Sequence, residues 1–259
     1  MIETKQTTYA DPDKLSFYLL KKVNKALRLY QMIEEGDRIA VAVSGGKDSL
    51  TLLHLLQQDK GKIPAAHDLV AVHVESEGRH AAGLGHDTLE GIFREQEIEY
   101  AFENLPVVRE RAEGAAADCF RCSWNRRQAL FQAARRLKCN KIAIGHHADD
   151  VAETALLNLF YHGRLETMKP KVELFGGSMT IIRPLYFVPE KEIVRFAEAS
   201  SFPIEASPCP YSRTSKRARM KELLRAVQRE CPKVKSNLLH AVEGWRGGGS
   251  GRSMRQSVS

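Results

Sequence analysis

Three groups of residues in this chain could do chemistry. The first is Ser44-Gly45-Gly46-Lys47-Asp48-Ser49, two adjacent glycines framed by hydroxyls, with a lysine and an aspartate beside them. Glycines let the backbone approach an anion closely, Lys47 supplies a positive point charge, and the serines supply hydroxyl groups. The guest such a set suits is a phosphate. It is not a Walker A loop, because Lys47 is followed by Asp48 and no glycine stands five positions before Gly46. It is not a dinucleotide fingerprint either, since no third glycine follows at the required spacing.

The second group is thiols. Cys119 and Cys122 form a Cys-x-x-Cys, a spacing that serves zinc, an iron–sulfur cluster or a redox dithiol. Cys209 stands between Pro208 and Pro210 in a proline-stiffened turn, where a third thiol has no packing role in a helix. Cys139 leads into a strand and reads as core, and Cys231 lies beyond a basic helix. Structural zinc calls for a fourth protein ligand that neither supplies. Three thiolates with an open position are more natural for a [4Fe–4S] cluster.

The third group is charge. Asp48, Asp149 and Asp150 are carboxylates that could hold Mg²⁺ beside a triphosphate, although Asp149 is equally placed to cap a helix. His146 and His147, taken singly, read as packing or hydrogen-bonding groups. Between Arg213 and Lys235 nine basic residues face two acids, an excess equal to the +7 of the whole chain. Arg213, Lys216, Arg217, Arg219, Lys221 and Arg225 are therefore candidates for a nucleic-acid backbone. The competing reading is a solvated helix face with a buried stripe of Met220, Leu223, Leu224 and Val227.

These groups need a scaffold that brings them together. Ile39 to Val43 is β-branched or small and suits a strand buried on both faces, and leucines at helical spacing follow Ser49. Further strands are expected at Asp68–Val74, near Glu99–Glu103, at Lys141–Gly145 and at Met179–Leu185, the last stopped by Pro184. Helices are expected from Pro12 to about Tyr30 with Asp11 as N-cap, from His86 to Gln96, from the Cys-x-x-Cys to Leu137, from His146 to His162 and from Glu190 to Ala199. Residues 78–85 read as a loop, and Pro106 to Ala117 as a candidate lid. Alternating strands and helices predict an α/β fold, a doubly wound parallel sheet of about five strands with an N-terminal helix and a C-terminal helical extension. The expected organisation is 1–36 N-terminal helical segment, 37–205 nucleotide-binding α/β domain, 206–246 cysteine turn and basic extension, and 247–259 disordered tail. In such a sheet ligands bind outside the carboxyl ends of the strands. Ser44–Ser49, His73 and Val74, and Gly145 and His146 should converge there.

Composition limits the function classes. At 43% hydrophobic and 27% charged, the chain has the make-up of a globular protein with a substantial core. Residues 1–12 lack the apolar run of a signal peptide and no stretch approaches a membrane span, so a cytoplasmic protein with no membrane partner is expected. There, five cysteines are more often ligands or nucleophiles than disulfides.

Taken together the motifs carry a family likeness. Ser-Gly-Gly-Lys-Asp-Ser resembles the pyrophosphate loop (PP-loop) of the ATP pyrophosphatases, whose fold is adenine nucleotide alpha hydrolase-like. With Cys119-x-x-Cys122, Gly145-His-His-Ala-Asp-Asp-Val-Ala-Glu-Thr154, Asn158-Leu-Phe-Tyr161, Ile182-Arg-Pro-Leu185 and Pro208-Cys209, the order and spacing resemble the tRNA 2-thiocytidine synthetases over roughly residues 12–240. The resemblance implies ATP and Mg²⁺ at Ser44–Ser49 and a [4Fe–4S] cluster on Cys119, Cys122 and Cys209. It also implies a reaction in which the C2 oxygen of an anticodon-loop cytidine is adenylated and AMP is then displaced by sulfur. Lys47, Asp48, Asp149 and Asp150 would be the catalytic set. The expected partners are tRNA and a sulfur donor, a cysteine desulfurase or free sulfide, with a homodimer left open. One departure is that Ser212 stands where relatives often continue with a second Cys-x-x-Cys. The alternatives are a cluster-dependent sulfurtransferase or desulfurase acting on another tRNA base or a small molecule, and a non-enzymatic iron–sulfur redox sensor that binds RNA.

Overall fold

The computed structural model describes residues 11–58, 65–75, 84–105, 115–203 and 215–248, with side chains described outside 115–123 and 245–248. These residues form two compact units. One comprises the described residues within Met1–His147 and Pro170–Tyr211, the other those within Ala148–Lys169 and Ser212–Ser259.

The first unit is built on a six-stranded sheet. Its strands are β1 (Asp37–Ala42), β2 (His67–Glu75), β3 (Glu99–Asn104), β4 (Lys141–Ala143), β5 (Lys171–Leu174) and β6 (Met179–Ile182), in the spatial order β3-β2-β1-β4-β6-β5. All neighbours are parallel except β5, which pairs antiparallel with β6. The α/β, doubly wound reading therefore holds, with one strand more than expected. The extra strand is β5, a four-residue polar edge too short to announce itself by alternation.

Helices of this unit are α1 (Pro12–Leu29), α2 (Lys47–Gln58), α3 (His86–Glu95), α4 (Ala115–Arg136) and α6 (Glu190–Ala199). Asp11 caps α1 as its sequence predicts, its Oδ1 accepting from the Asp13 N–H at 3.0 Å. Leu19, Leu20, Val23, Ala26 and Leu27 of α1 are buried. On one side of the sheet Ala40, Val70, Val72 and Ile142 pack with Leu130, Ala133, Ala134 and Cys139, so Cys139 is core, and burial pushes its thiol up to about 11. The helix expected to begin around the Cys-x-x-Cys begins at Ala115 instead, because three alanines are strong helix formers. Cys119 and Cys122 are therefore inside α4 and not at its entrance.

At the amino ends of β1 and β4 sits a buried polar knot. Lys141, 3% exposed, donates to Asp37 Oδ2 at 2.6 Å and to Glu34 Oε2 at 2.7 Å. Asn140 Nδ2 donates to Asp37 Oδ1 at 2.7 Å, and the Arg38 N–H donates to Asn140 Oδ1 at 2.9 Å. A buried ion pair contributes little net stability, but removing one partner strands the other charge. Asp37→Ala is expected to lower unfolding free energy by about 3 kcal/mol, read as a lower urea midpoint at unchanged slope.

The second unit consists of α5 (Ala148–His162), α7 (Lys216–Glu230) and α8 (Val234–Gly248). Ala152 and Leu156 of α5 pack with Met220 and Leu224 of α7, and Val234 and Leu238 of α8 join them. The basic segment is thus two helices broken at Cys231-Pro232, where proline cannot continue the i→i−4 ladder. Its buried stripe is narrower than expected, since Leu223 and Val227 are exposed. The helix α8 runs to Gly248, into the glycine stretch expected to start the tail; residues 249–259 lie outside the described residues. So do 106–114 of the candidate lid and the Ser207–Tyr211 turn, while 115–117 are helical. Among the described residues no helix is long and apolar enough to cross a membrane.

Candidate functional site

The phosphate loop is where its sequence places it, between the carboxyl end of β1 and the first turn of α2. Gly45 has φ of 80°, in the left-handed region that side chains avoid. Ser44 and Ser49 shape the turn. The Ser49 hydroxyl donates to the Gly46 carbonyl at 2.9 Å and accepts from the Ser44 N–H at 3.1 Å, and the Ser44 hydroxyl accepts from the Gly46 N–H at 3.4 Å. The first-turn N–H groups of α2 have no partner within the helix and carry its positive dipole end. An anion seated in the loop meets those donors directly.

β1 neighbours β2 on one side and β4 on the other, with β4 followed by β6, so chain connections diverge at the β1/β4 crevice. There Gly145, just after β4, presses on the start of α2. A β-carbon at 145 would lie 3.1 Å from the Asp48 carbonyl carbon and 3.2 Å from the Ser49 nitrogen. Those are backbone atoms, which can yield only by moving the loop. Gly145→Ala is expected to weaken ATP binding about tenfold, in keeping with the steep cost of small misplacements, measured by equilibrium titration with a fluorescent ATP analogue.

The charges beside the loop are arranged as a cation between two carboxylates. Lys47 Nζ donates to Asp48 Oδ2 at 3.2 Å and to Glu190 Oε1, at the start of α6, at 3.3 Å. Burial works against the ammonium, but Asp48 and Glu190 more than offset it and hold its pKa above the ordinary lysine value. Asp48 Oδ1 lies 3.1 Å from the same ammonium, yet it is buried and accepts no hydrogen bond. A hard, buried carboxylate oxygen with spare lone pairs fits Mg²⁺. His147 Nε2 approaches that oxygen at 3.7 Å.

A PP-loop domain model matches residues 19–227. The tRNA-cytidine(32) 2-sulfurtransferase of Citrifermentans bemidjiense is 40% identical over 226 residues, 85% of this chain and 88% of that protein. The chain belongs to the PP-loop tRNA-cytidine(32) 2-sulfurtransferase family. The namesake from Geotalea uraniireducens is 39% identical over 235 residues, covering 89% of this chain and 92% of that protein. Among solved structures, the U34-tRNA thiolase NcsA from Methanococcus maripaludis, with its [4Fe-4S] cluster, is similar with a TM-score of 0.75. The match covers 94% of this chain and 82% of that one at 26% identity.

In this 2-sulfurtransferase family member the other anticipated residues fall as follows. His146 follows Gly145, and its Nδ1 accepts from Arg183 Nε at 3.2 Å, which leaves the proton of a neutral ring on Nε2. His73 is buried, its Nδ1–H donating to the Val43 carbonyl at 2.7 Å, and Val74 is half-buried on the same strand. Burial holds the His73 pKa below the ordinary 6.5, and burial does the same to His54 between Phe196 and Phe202. The folded state thus binds fewer protons than the unfolded one as pH drops through 6.5. Stability is expected to fall as pH drops below about 6.5, and a His73→Gln variant to lose part of that slope, measured by urea denaturation across pH.

Asp149 and Asp150 belong to the second unit. Asp149 is buried and ion-paired with Lys235, while Asp150 lies 3.8 Å from Arg217. Arg217 also reaches Glu153 at 3.3 Å and donates to Thr154 Oγ1 at 3.0 Å. One anticipated RNA ligand is thereby engaged by acids of its own unit. Lys216 lies 4.6 Å over the Tyr161 ring, and Arg219 and Arg225 are exposed on α7, with Lys221 half-buried. Cys119 and Cys122 stand one helical turn apart on the α4 backbone, whereas Cys209 and Arg213 lie outside the described residues. The sequence reading missed Arg183 and Glu190. Arg183 sits inside the quoted Ile182-Arg-Pro-Leu185 motif and Glu190 at a helix start, but nothing local reveals that they reach His146 and Lys47.

Proposed function

We propose that the protein is an ATP-dependent tRNA sulfurtransferase that replaces the C2 oxygen of a cytidine with sulfur. Its relatives are named for cytidine 32, which supports that position as the target here. The observation that carries the reading is the phosphate loop at the β1/β4 crevice, built as above, in a chain that aligns with those relatives over most of its length.

Ser44–Ser49 would seat the ATP phosphates on backbone N–H groups and the α2 dipole. Lys47 would leave Glu190 for the β- and γ-phosphate oxygens. Asp48 Oδ1 would hold Mg²⁺; Asp149 and Asp150, held by Lys235 and Arg217 within the second unit, are the other carboxylates proposed for catalysis. The C2 oxygen of the cytidine attacks the α-phosphorus and pyrophosphate leaves, its charge neutralised by Lys47. Arg183 fixes the His146 ring beside the glycine that borders the loop. Sulfur then takes the place of the adenylated oxygen, and AMP departs. Cys119, Cys122 and Cys209 would hold a [4Fe–4S] cluster, which when bound supplies an iron that can carry sulfur; two cysteines one turn apart on the α4 backbone suit such a donor set. Lys216, Arg219, Lys221 and Arg225, with Arg213, would meet tRNA phosphates. The sulfur donor would be a cysteine desulfurase or sulfide, and the setting the cytoplasm.

The deciding experiment is anaerobic purification, then incubation with unmodified tRNA, ATP, Mg²⁺ and sulfide, with nucleoside analysis. Brown protein that forms 2-thiocytidine and AMP is the expected result. Colourless protein with tightly bound zinc, or unspent ATP beside unmodified tRNA, would overturn it.

A further inference from the structure

The solvent face of α1 has a composition that core packing does not explain. Lys14, Tyr18, Lys21, Lys25 and Arg28 follow one another at steps of four, three, four and three, so they form one stripe along the helix, with Phe17 and Leu29 beside it. All seven are exposed, Phe17 by 56%, Tyr18 by 49% and Leu29 by 59%. No acid occurs from Lys14 to Ile33. Among the described residues none of Lys14, Lys21, Lys25 and Arg28 has a carboxylate partner. Lys21 lies 4.4 Å from the Phe17 ring centroid and 5.5 Å from that of Tyr18, and Lys25 lies 4.7 Å from that of Phe187. The fifth cation of the helix, Lys22, points elsewhere, into an ion pair with Glu192 of α6.

Four cations with no carboxylate partner among the described residues, over roughly 21 Å of helix and interleaved with two half-exposed aromatic rings, match a polyanion that also offers flat apolar faces. A second copy of this chain is a poor occupant, because a two-fold pairing of the face would set its cations against each other. A nucleic acid offers phosphates to the cations and bases to the rings. The location is also suited to the reaction. The first turn of α6 holds Lys22 of α1 through Glu192 and Lys47 of the phosphate loop through Glu190. In addition, α1 packs on the Pro184–Phe187 turn that directly follows Arg183. We infer that the face formed by Lys14, Phe17, Tyr18, Lys21, Lys25 and Arg28 is a docking surface for the tRNA substrate, its cations on the sugar-phosphate backbone and its rings against unpaired bases. This rests on the tRNA reading of the previous subsection.

The test uses the full chain and an unmodified tRNA transcript, with affinity measured by fluorescence anisotropy over a series of KCl concentrations. Lys21→Ala/Lys25→Ala should weaken binding about tenfold and lower the slope of log affinity on log salt by about 1.5. Phe17→Ala/Tyr18→Ala should weaken it about tenfold with the slope unchanged, and Lys21→Arg/Lys25→Arg should restore wild-type slope. ATP-analogue binding should be unchanged in all three, which excludes misfolding. Variants with wild-type affinity and slope, in a protein that still binds and thiolates tRNA, would overturn this surface and leave the enzymatic reading standing. So would variants that change only the sedimenting mass, which would assign the face to self-association. Wild-type protein that binds no tRNA would overturn both readings.

Discussion

Lys47→Ala is expected to slow tRNA-dependent release of pyrophosphate by about 10²–10³-fold, the cost typical of removing one preorganised group from developing charge. The side chain is poised for that role by its neighbours. Asp48 and Glu190 hold the ammonium charged well above neutral pH, at 3.2 and 3.3 Å, so no proton has to be acquired before phosphate binds. Glu190→Gln should behave differently, changing the rate less than about tenfold, because it removes a competitor for Lys47 as well as a support. Release of labelled pyrophosphate under single-turnover conditions measures both. A Lys47→Ala rate within about threefold of wild type would show that the lysine does not act on the leaving group.

Serine at Cys119 or Cys122 is expected to take thiolation to background, more than about 10³-fold down, while leaving ATP-analogue binding intact. A serine hydroxyl stays protonated near neutral pH and is a poor ligand for iron where a thiolate is a good one. Cys139 is no replacement, being locked in the core with its thiol pushed up to about 11. Iron and acid-labile sulfide content should fall with activity. Full iron content with lost thiolation would separate cluster binding from catalysis, and retained thiolation would remove the cysteines from the reaction.

The phosphate loop was legible because its information is local: two glycines, a preceding strand, a following amphipathic helix. The α1 cap was legible for the same reason, Asp11-Pro12 being a signal contained in two residues. Contacts made at long sequence range were not. Glu190 reaches Lys47 across 143 positions, and Arg183 reaches His146 across 37. The partners of the basic segment were not legible either, because counting its charges leaves out the acids that meet Arg217 and Lys235, namely Asp149, Asp150 and Glu153 on α5. The edge strand β5, Lys171 to Leu174, escaped notice because four polar-leaning residues after a proline carry no period. The start of α4 was not legible because the helix-forming Ala115–Ala117 follow directly on a mixed run of acids and arginines that carries no period.

The knot of Lys141, Asp37 and Asn140 lies at the far end of the same two strands whose other ends carry the phosphate loop and Gly145. Register between β1 and β4 rests on three residue pairs, Ile39 with Lys141, Ala40 with Ile142 and Val41 with Ala143. A slip of one pair would displace Gly145 along the strand by about 3.3 Å and take it away from the backbone of Asp48 and Ser49. The buried charges act as a gauge block: a lysine that finds its aspartate at one end sets where Gly145 meets the phosphate loop at the other.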